Sequence, residues 1–309
     1  MADDLAVTAV YTLPGHAVFP ESVGVDPATG DAYAGSLADG TLYRLPATAG
    51  RAADQEATLW SPAGAGGRVS VAGVKVDSQR RLWAAGGYDG TLWVYDLADG
   101  KQLARMAVNA RPSCVNDIAF GPDGSAYVTD SLIPTLFRVA GDSLSLEPWV
   151  DLAAQHVPWP DGLNLNGIVL APDARHLVTC QTNLGRFWQV EIATGRVREA
   201  ELDGGPLPHC DGLAISGSAL YVAVNAKNLI GVVALSADGA RGRVEGLRGC
   251  EAFAFPTAVA VRGDRLLVVN GQLDQMAGDP RLPFTVVEIA DRDDRAAPVT
   301  DPGEDVIHE

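Results

Sequence analysis

Four residues far apart in the chain carry the side chains that hard-cation chemistry requires: Glu21, Asn116, Asn166 and Asp211. Each stands just ahead of a short apolar run, in "ESVGVD", "NDIAFGPDG", "NGIVLAPD" and "DGLAI". Two carboxylates and two amides brought to one point would suit calcium, which takes six to eight oxygen ligands at roughly 2.3–2.6 Å and accepts mixed carboxylate, amide and water donors. Zinc would want His or Cys, and these four positions offer neither. Calcium is therefore the expected ion, with another divalent metal such as magnesium second. A cation also resolves an electrostatic conflict, because two carboxylates close together repel and one tends to take up a proton.

The elements that must position them follow from an internal repeat. Six segments align on the pattern strand, Gly/Asp turn, strand, polar loop, strand. Their first strands begin near residues 21, 72, 116, 166, 211 and 257, a period of 44 to 51 residues. Weaker fourth strands such as "EATLWS", "KQLARMA" and "GRVREAEL" follow. Four short antiparallel strands repeated at this spacing describe a propeller blade, and a self-similar period separates a propeller from a sandwich. The expected fold is all-β, a six-bladed β-propeller with four-stranded antiparallel blades. One domain spans residues 1–290, and residues 291–309 form an acidic tail without periodicity. The last blade lacks an evident fourth strand, so "LAVTAVYTL" at the N-terminus is expected to supply it and close the ring, which removes an open edge. First strands line a propeller's channel, so the positions equivalent to Glu21 form a ring: Ala72, Asn116, Asn166, Asp211 and Thr257.

Composition narrows the function. The chain has 309 residues, 23 Lys and Arg against 39 Asp and Glu, and a formal charge of −16. Nucleic-acid backbones are bound by clustered basic residues, so such a partner is excluded. No basic segment followed by an apolar one opens the chain and no long apolar run crosses it, which predicts a cytoplasmic protein with no membrane partner. Cys114, Cys180, Cys210 and Cys250 are widely spaced and read as free thiols. No G-x-S-x-G element and no Gly-rich phosphate loop is present.

Over about residues 15–290 the chain resembles the senescence marker protein/gluconolactonase group of six-bladed propellers, and more distantly paraoxonase and strictosidine synthase. The resemblance implies Glu21, Asn166 and Asp211 as metal ligands, with Asn116 completing the set or meeting the substrate. It also implies Asp211 as ligand and general base together. His209 in "PLPHCDGL" is a rival base, since an imidazole titrates near neutrality, and Asp117 is a further candidate beside the site. Members of that group commonly carry an Arg two residues before the Asn matching Asn116. Here that position is Cys114, which argues against a sugar lactone.

Two loops, residues 151–166 and 271–284, are expected to overhang the metal face. They bring His156, Trp159 and Phe284 toward a roomy, less polar substrate pocket. The reading is a calcium-dependent hydrolase that opens a lactone or small ester, acting on a small molecule. A non-hydrolytic cyclisation, condensation or isomerisation, and a purely binding propeller, stand as alternatives.

Overall fold

Short runs of Val, Ile, Leu and aromatic residues, cut every few positions by Gly, Asp or Pro, satisfy their backbone groups best as antiparallel strands joined by tight turns. In the computed structural model, which describes residues 5–47, 54–141 and 143–290, they do so as six sheets arranged in a ring. The innermost strands are Pro20–Val25, Gly73–Val76, Val115–Phe120, Leu165–Leu170, Cys210–Ser216 and Pro256–Arg262. Each contacts its neighbours on both sides, and the sixth returns to the first. The protein is a six-bladed β-propeller. The described residues contain no α-helix, only three 3-10 turns, and no helix is long and apolar enough to cross a membrane. The tail, residues 291–309, lies outside the described residues.

The ring closes as the sequence predicts. Val7–Leu13 pairs antiparallel with Phe284–Ala290 and becomes the fourth strand of blade 6. Two outer edges are divided between neighbours, a detail the repeat does not reveal. Thr58–Ser61 completes blade 1, whereas Gln55–Glu56, just before it, pairs in parallel with Val7–Leu13 in blade 6. Val197–Glu199 completes blade 4, and Glu201–Asp203 adds a parallel strand to blade 5.

A propeller has no single core. Six buried apolar clusters lie between successive blades, one for each pair of neighbours. The layer between blades 6 and 1 holds Tyr11, Leu13, Val23, Leu267 and Phe284, and the layer between blades 2 and 3 holds Trp83, Val94, Ile118 and Val128. Burial at about 25 cal/mol per Å² of apolar surface makes these layers the main favourable term. Turn chemistry trims the strands between them. In "GPDGS" of blade 3, Gly124 takes φ 77°, a left-handed value suited to glycine, and Asp123 Oδ1 accepts the Ser125 N–H at 3.0 Å.

Close approach of inner strands makes glycine obligatory near the axis. A Cβ on Gly73 would lie 2.0 Å from the Asn116 carbonyl oxygen, and one on Gly167 would lie 2.5 Å from the Asp211 carbonyl oxygen. Gly73→Ala should therefore cost about 1–3 kcal/mol through overpacking. Gly246→Ala, where nothing lies within 4 Å of the added carbon, should stay within about 0.5 kcal/mol of wild type. Urea unfolding of both variants checks the difference, and equal stability would mean that the channel backbone yields readily.

Candidate functional site

The ring positions are set apart by irregular pairing. In blade 1 the register passes from Pro20↔Ser36 to Ser22↔Gly35 and skips Glu21. The same break brackets Asn116 and Asp117 in blade 3, Asn166 in blade 4, Asp211 in blade 5 and Thr257 in blade 6. An extra residue in one strand bends it and re-aims its side chain out of the pleat. Blade 2, whose ring residue is Ala72, pairs regularly from Gly73 onward. Left-handed backbone lies two residues ahead of three ring positions, at Phe19 (φ 43°), His209 (φ 68°) and Phe255 (φ 52°), where the chain turns into the channel.

Glu21, Asn116, Asn166 and Asp211 are all buried. Asn225 Nδ2 donates to Asp211 Oδ2 at 2.9 Å, and Asp211 Oδ1 is buried with no hydrogen-bond partner. Asn166 donates Nδ2 to Thr182 Oγ1 at 3.2 Å and also reaches the Asp211 carboxylate. Among the described residues no donor reaches the Glu21 carboxylate, and the Asn116 side chain makes no hydrogen bond. Buried polar groups are almost always paired, so the enclosed, unpartnered Asp211 Oδ1 is a departure in need of a cause. Burial first, then the Asp211 and Asp117 charges, raises the Glu21 carboxyl well above the ordinary range, with Lys75 opposing. Burial likewise pushes Asp211 up to about 7, against the amides of Asn225 and Asn166, with Asp117 adding to the rise.

No group of three or more His, Cys, Asp or Glu side chains able to hold a metal is formed among the described residues. The donors at the ring are of mixed type, two carboxylates and two amides. The unpartnered Asp211 oxygen and the unbonded Glu21 and Asn116 side chains fit a hard cation.

The remaining sequence-derived candidates divide by location. Asp117 has both oxygens engaged, Oδ2 by the Ile168 N–H at 3.1 Å and Oδ1 by Lys75 Nζ at 2.9 Å. Cys114 is buried, and burial followed by the Asp130 charge pushes its thiol up to about 12, away from nucleophilic use. Asp130, beside Cys114, anchors a turn by accepting from Cys114, Leu132 and Ile133 N–H groups. His209 and His156 are exposed, His156 at φ 60° in its loop.

The two aromatic candidates do not form an open apolar wall. Phe284 is fully buried with its ring 4.9 Å from that of Phe19. Trp159 donates Nε1 to the Leu132 carbonyl at 3.2 Å and packs on the layer between blades 3 and 4. These rings hold their loops down because burying them gains more than exposing them to a ligand.

The cavity beside Asp211 is polar instead. It measures about 370 Å³ and is lined by Asn225, Asn228, Gln272, Asp274, Asp279 and Arg281 among others. Asn225 joins it to the ring, since its amide holds Asp211. Gln272 shapes the far wall by bonding both ways to the Arg281 backbone, at 2.9 and 2.7 Å. Asn225 and Lys75 were missed in the sequence. Their signals were a polar residue closing the strand "LYVAVN" and a lone charge inside "VAGVKVD".

The raised Asp211 carboxyl predicts a pH dependence in calcium-free solution. Its folded value of about 7 lies above the ordinary 3.8, so the folded chain holds a proton that the unfolded chain loses as pH rises. The stabilisation is complete below about pH 4 and is lost as pH climbs through about 7. Wild type in chelator should lose roughly a few kcal/mol between these limits, and Asp211→Asn should flatten that slope. Denaturant titrations across the range decide, and parallel slopes would contradict the assignment.

No protein-family model and no curated protein matches the sequence. Among solved structures, the chain is similar to a calcium-binding protein, regucalcin, from Agrobacterium tumefaciens, at 18% identity and TM-score 0.64, over 93% of this chain and 98% of that one. It is also similar to a catalytically inactive virginiamycin B lyase from Staphylococcus aureus with quinupristin, at 14% identity and TM-score 0.60, over 90% and 82% of the two chains. A protein from Lactobacillus plantarum aligns at 17% identity and TM-score 0.59, over 87% of each chain. At such identities the likeness establishes the shared fold, a six-bladed β-propeller.

Proposed function

We propose that the chain is a calcium-dependent hydrolase that opens a lactone or small ester of polar character. One observation carries this reading: Asp211 Oδ1 is buried without a hydrogen-bond partner, and the Asp211 charge acts on buried Glu21. Regucalcin, of similar fold, is a calcium-binding protein, which agrees with the ion expected from the donor set.

Glu21, Asn116, Asn166 and Asp211 would hold the ion. When bound, a divalent cation polarises a carbonyl and stabilises the negative charge that develops on its oxygen. Asn225 keeps the Asp211 carboxylate oriented through Oδ2, so Asp211 has Oδ1 left for one task. If that oxygen serves the ion, the proton of the attacking water passes to a second group. His209 fits the second role: it is exposed, two residues before Asp211, and its ring makes no hydrogen bond among the described residues. The cavity lined by Asn225, Asn228, Gln272 and Arg281 would receive the rest of the substrate. Its hydrogen-bonding groups favour a hydroxylated or charged acyl portion over a long alkyl chain. Cys114, Trp159 and Phe284 have no direct part in this reading.

A panel of lactones and small esters, run with calcium and with excess chelator, tests it. Turnover is expected with calcium, is expected to be faster on polar than on alkyl lactones, and is expected to vanish with chelator. His209→Ala should lower turnover about 10²- to 10⁴-fold with calcium binding unchanged, whereas Asp211→Asn should lose both. Retained turnover in His209→Ala would return the base to Asp211. If calcium binds and no panel member reacts, hydrolysis is the wrong class, and a non-hydrolytic reaction takes its place; virginiamycin B lyase shares this fold.

A further inference from the structure

Below the ring, the first and third residues after each ring position turn toward the next blade, where a Cβ on Gly24, Gly73, Gly167 or Gly212 would meet the neighbouring inner strand. They are Ser22 and Gly24, Gly73 and Lys75, Asp117 and Ala119, Gly167 and Val169, Gly212 and Ala214, and Ala258 and Ala260. Nearly all are small, and among them only Lys75 and Asp117 carry charge. They meet across the gap between blades 2 and 3, with Lys75 Nζ 2.9 Å from Asp117 Oδ1 and the Asp117 side chain 6% exposed. The Ile168 N–H pins the other oxygen. On the far side from the ring, the lysine borders a cavity of about 270 Å³ walled by Val25, Val76, Phe120, Leu170, Ile215 and Val261. Its ammonium therefore has apolar surface behind it and carboxylates ahead.

The charges suggest why it is there. Glu21, Asp117 and Asp211 bring three potential negative charges into one buried channel and Lys75 brings one positive. A single divalent cation at the ring then makes the sum zero. Without Lys75 the same ion would leave a buried net charge, which low-dielectric surroundings penalise heavily.

We propose that Lys75 is a built-in counter-cation that keeps the channel folded when no ion is bound and limits how tightly the ring holds one. The first part stands on the ion pair alone; the second rests on the metal reading given above. Lys75 is a positioning residue, since it acts through Asp117 and the field at the ring rather than by touching a substrate.

Lys75→Met keeps most of the stem and removes the charge. In chelator it should melt well below wild type, and adding Asp117→Asn, which removes the stranded carboxylate, should restore most of the loss. Calcium titrated calorimetrically should bind Lys75→Met on the order of tenfold more tightly than wild type, with the double variant returning toward the wild-type value. Wild-type melting of Lys75→Met in chelator, or no restoration by Asp117→Asn, would overturn the counter-cation role. Unchanged calcium affinity in a folded Lys75→Met would overturn the limit on binding. Should Lys75→Met fail to fold, a folded double variant supports the charge explanation, and an unfolded one overturns it in favour of packing. If wild type binds no calcium, the metal reading fails while the melts in chelator still decide the first part.

Discussion

Ionised carboxylates cannot share a buried channel without something positive between them. That constraint organises the axis of this propeller. Glu21, Asp117 and Asp211 arrive from blades 1, 3 and 5, far apart in sequence, and only closure of the ring brings their charges within reach of one another. Lys75 answers Asp117 directly. Asn225 and Asn166 hold Asp211. Among the described residues no donor reaches Glu21, so the balance there is left to protonation or to a cation from solution.

The surrounding fold can carry this strain because the polar ring is a small part of it. Six apolar layers between blades supply the stability, and the strand Val7–Leu13 locks the circle by pairing with Phe284–Ala290. Cross-blade hydrogen bonds then fix the ring backbone: Thr129 Oγ1 donates to the Asn166 carbonyl at 2.8 Å, Thr182 Oγ1 to Cys210 at 2.7 Å and Thr257 Oγ1 to Pro20 at 3.3 Å. Bulges at the ring positions spend regular pairing where side chains must leave the pleat. Ala72, which has no oxygen to aim, lies just ahead of its strand and donates its N–H to the Ala85 carbonyl at 2.7 Å.

Most of the fold could be read from the chain because a propeller repeats its local pattern. Strand alternation and Gly/Asp turns located the blades, and the missing fourth strand of blade 6 foretold the closure. The ring was legible for the same reason, since Glu21, Asn116, Asn166 and Asp211 share one register. What escaped depends on side-chain direction. Trp159 and Phe284 looked like pocket walls because loop aromatics are common there, but apolar burial draws both into the layers beneath. Lys75 lies within an apolar strand pattern that carries no sign of a partner, and only the neighbouring blade reveals Asp117. The splitting of "GRVREAEL" between blades 4 and 5 turns on edge pairing, to which periodicity is blind.

The most direct test of the cation ring is a count of bound metal by native mass spectrometry, after the protein is stripped with chelator and returned to calcium. One calcium per chain is expected for wild type, and none for Glu21→Gln combined with Asp211→Asn, while Ala72→Ser and Thr257→Val each keep one. A wild-type chain that takes up no ion, or a Glu21/Asp211 double variant that retains it, would contradict a cation site at this ring.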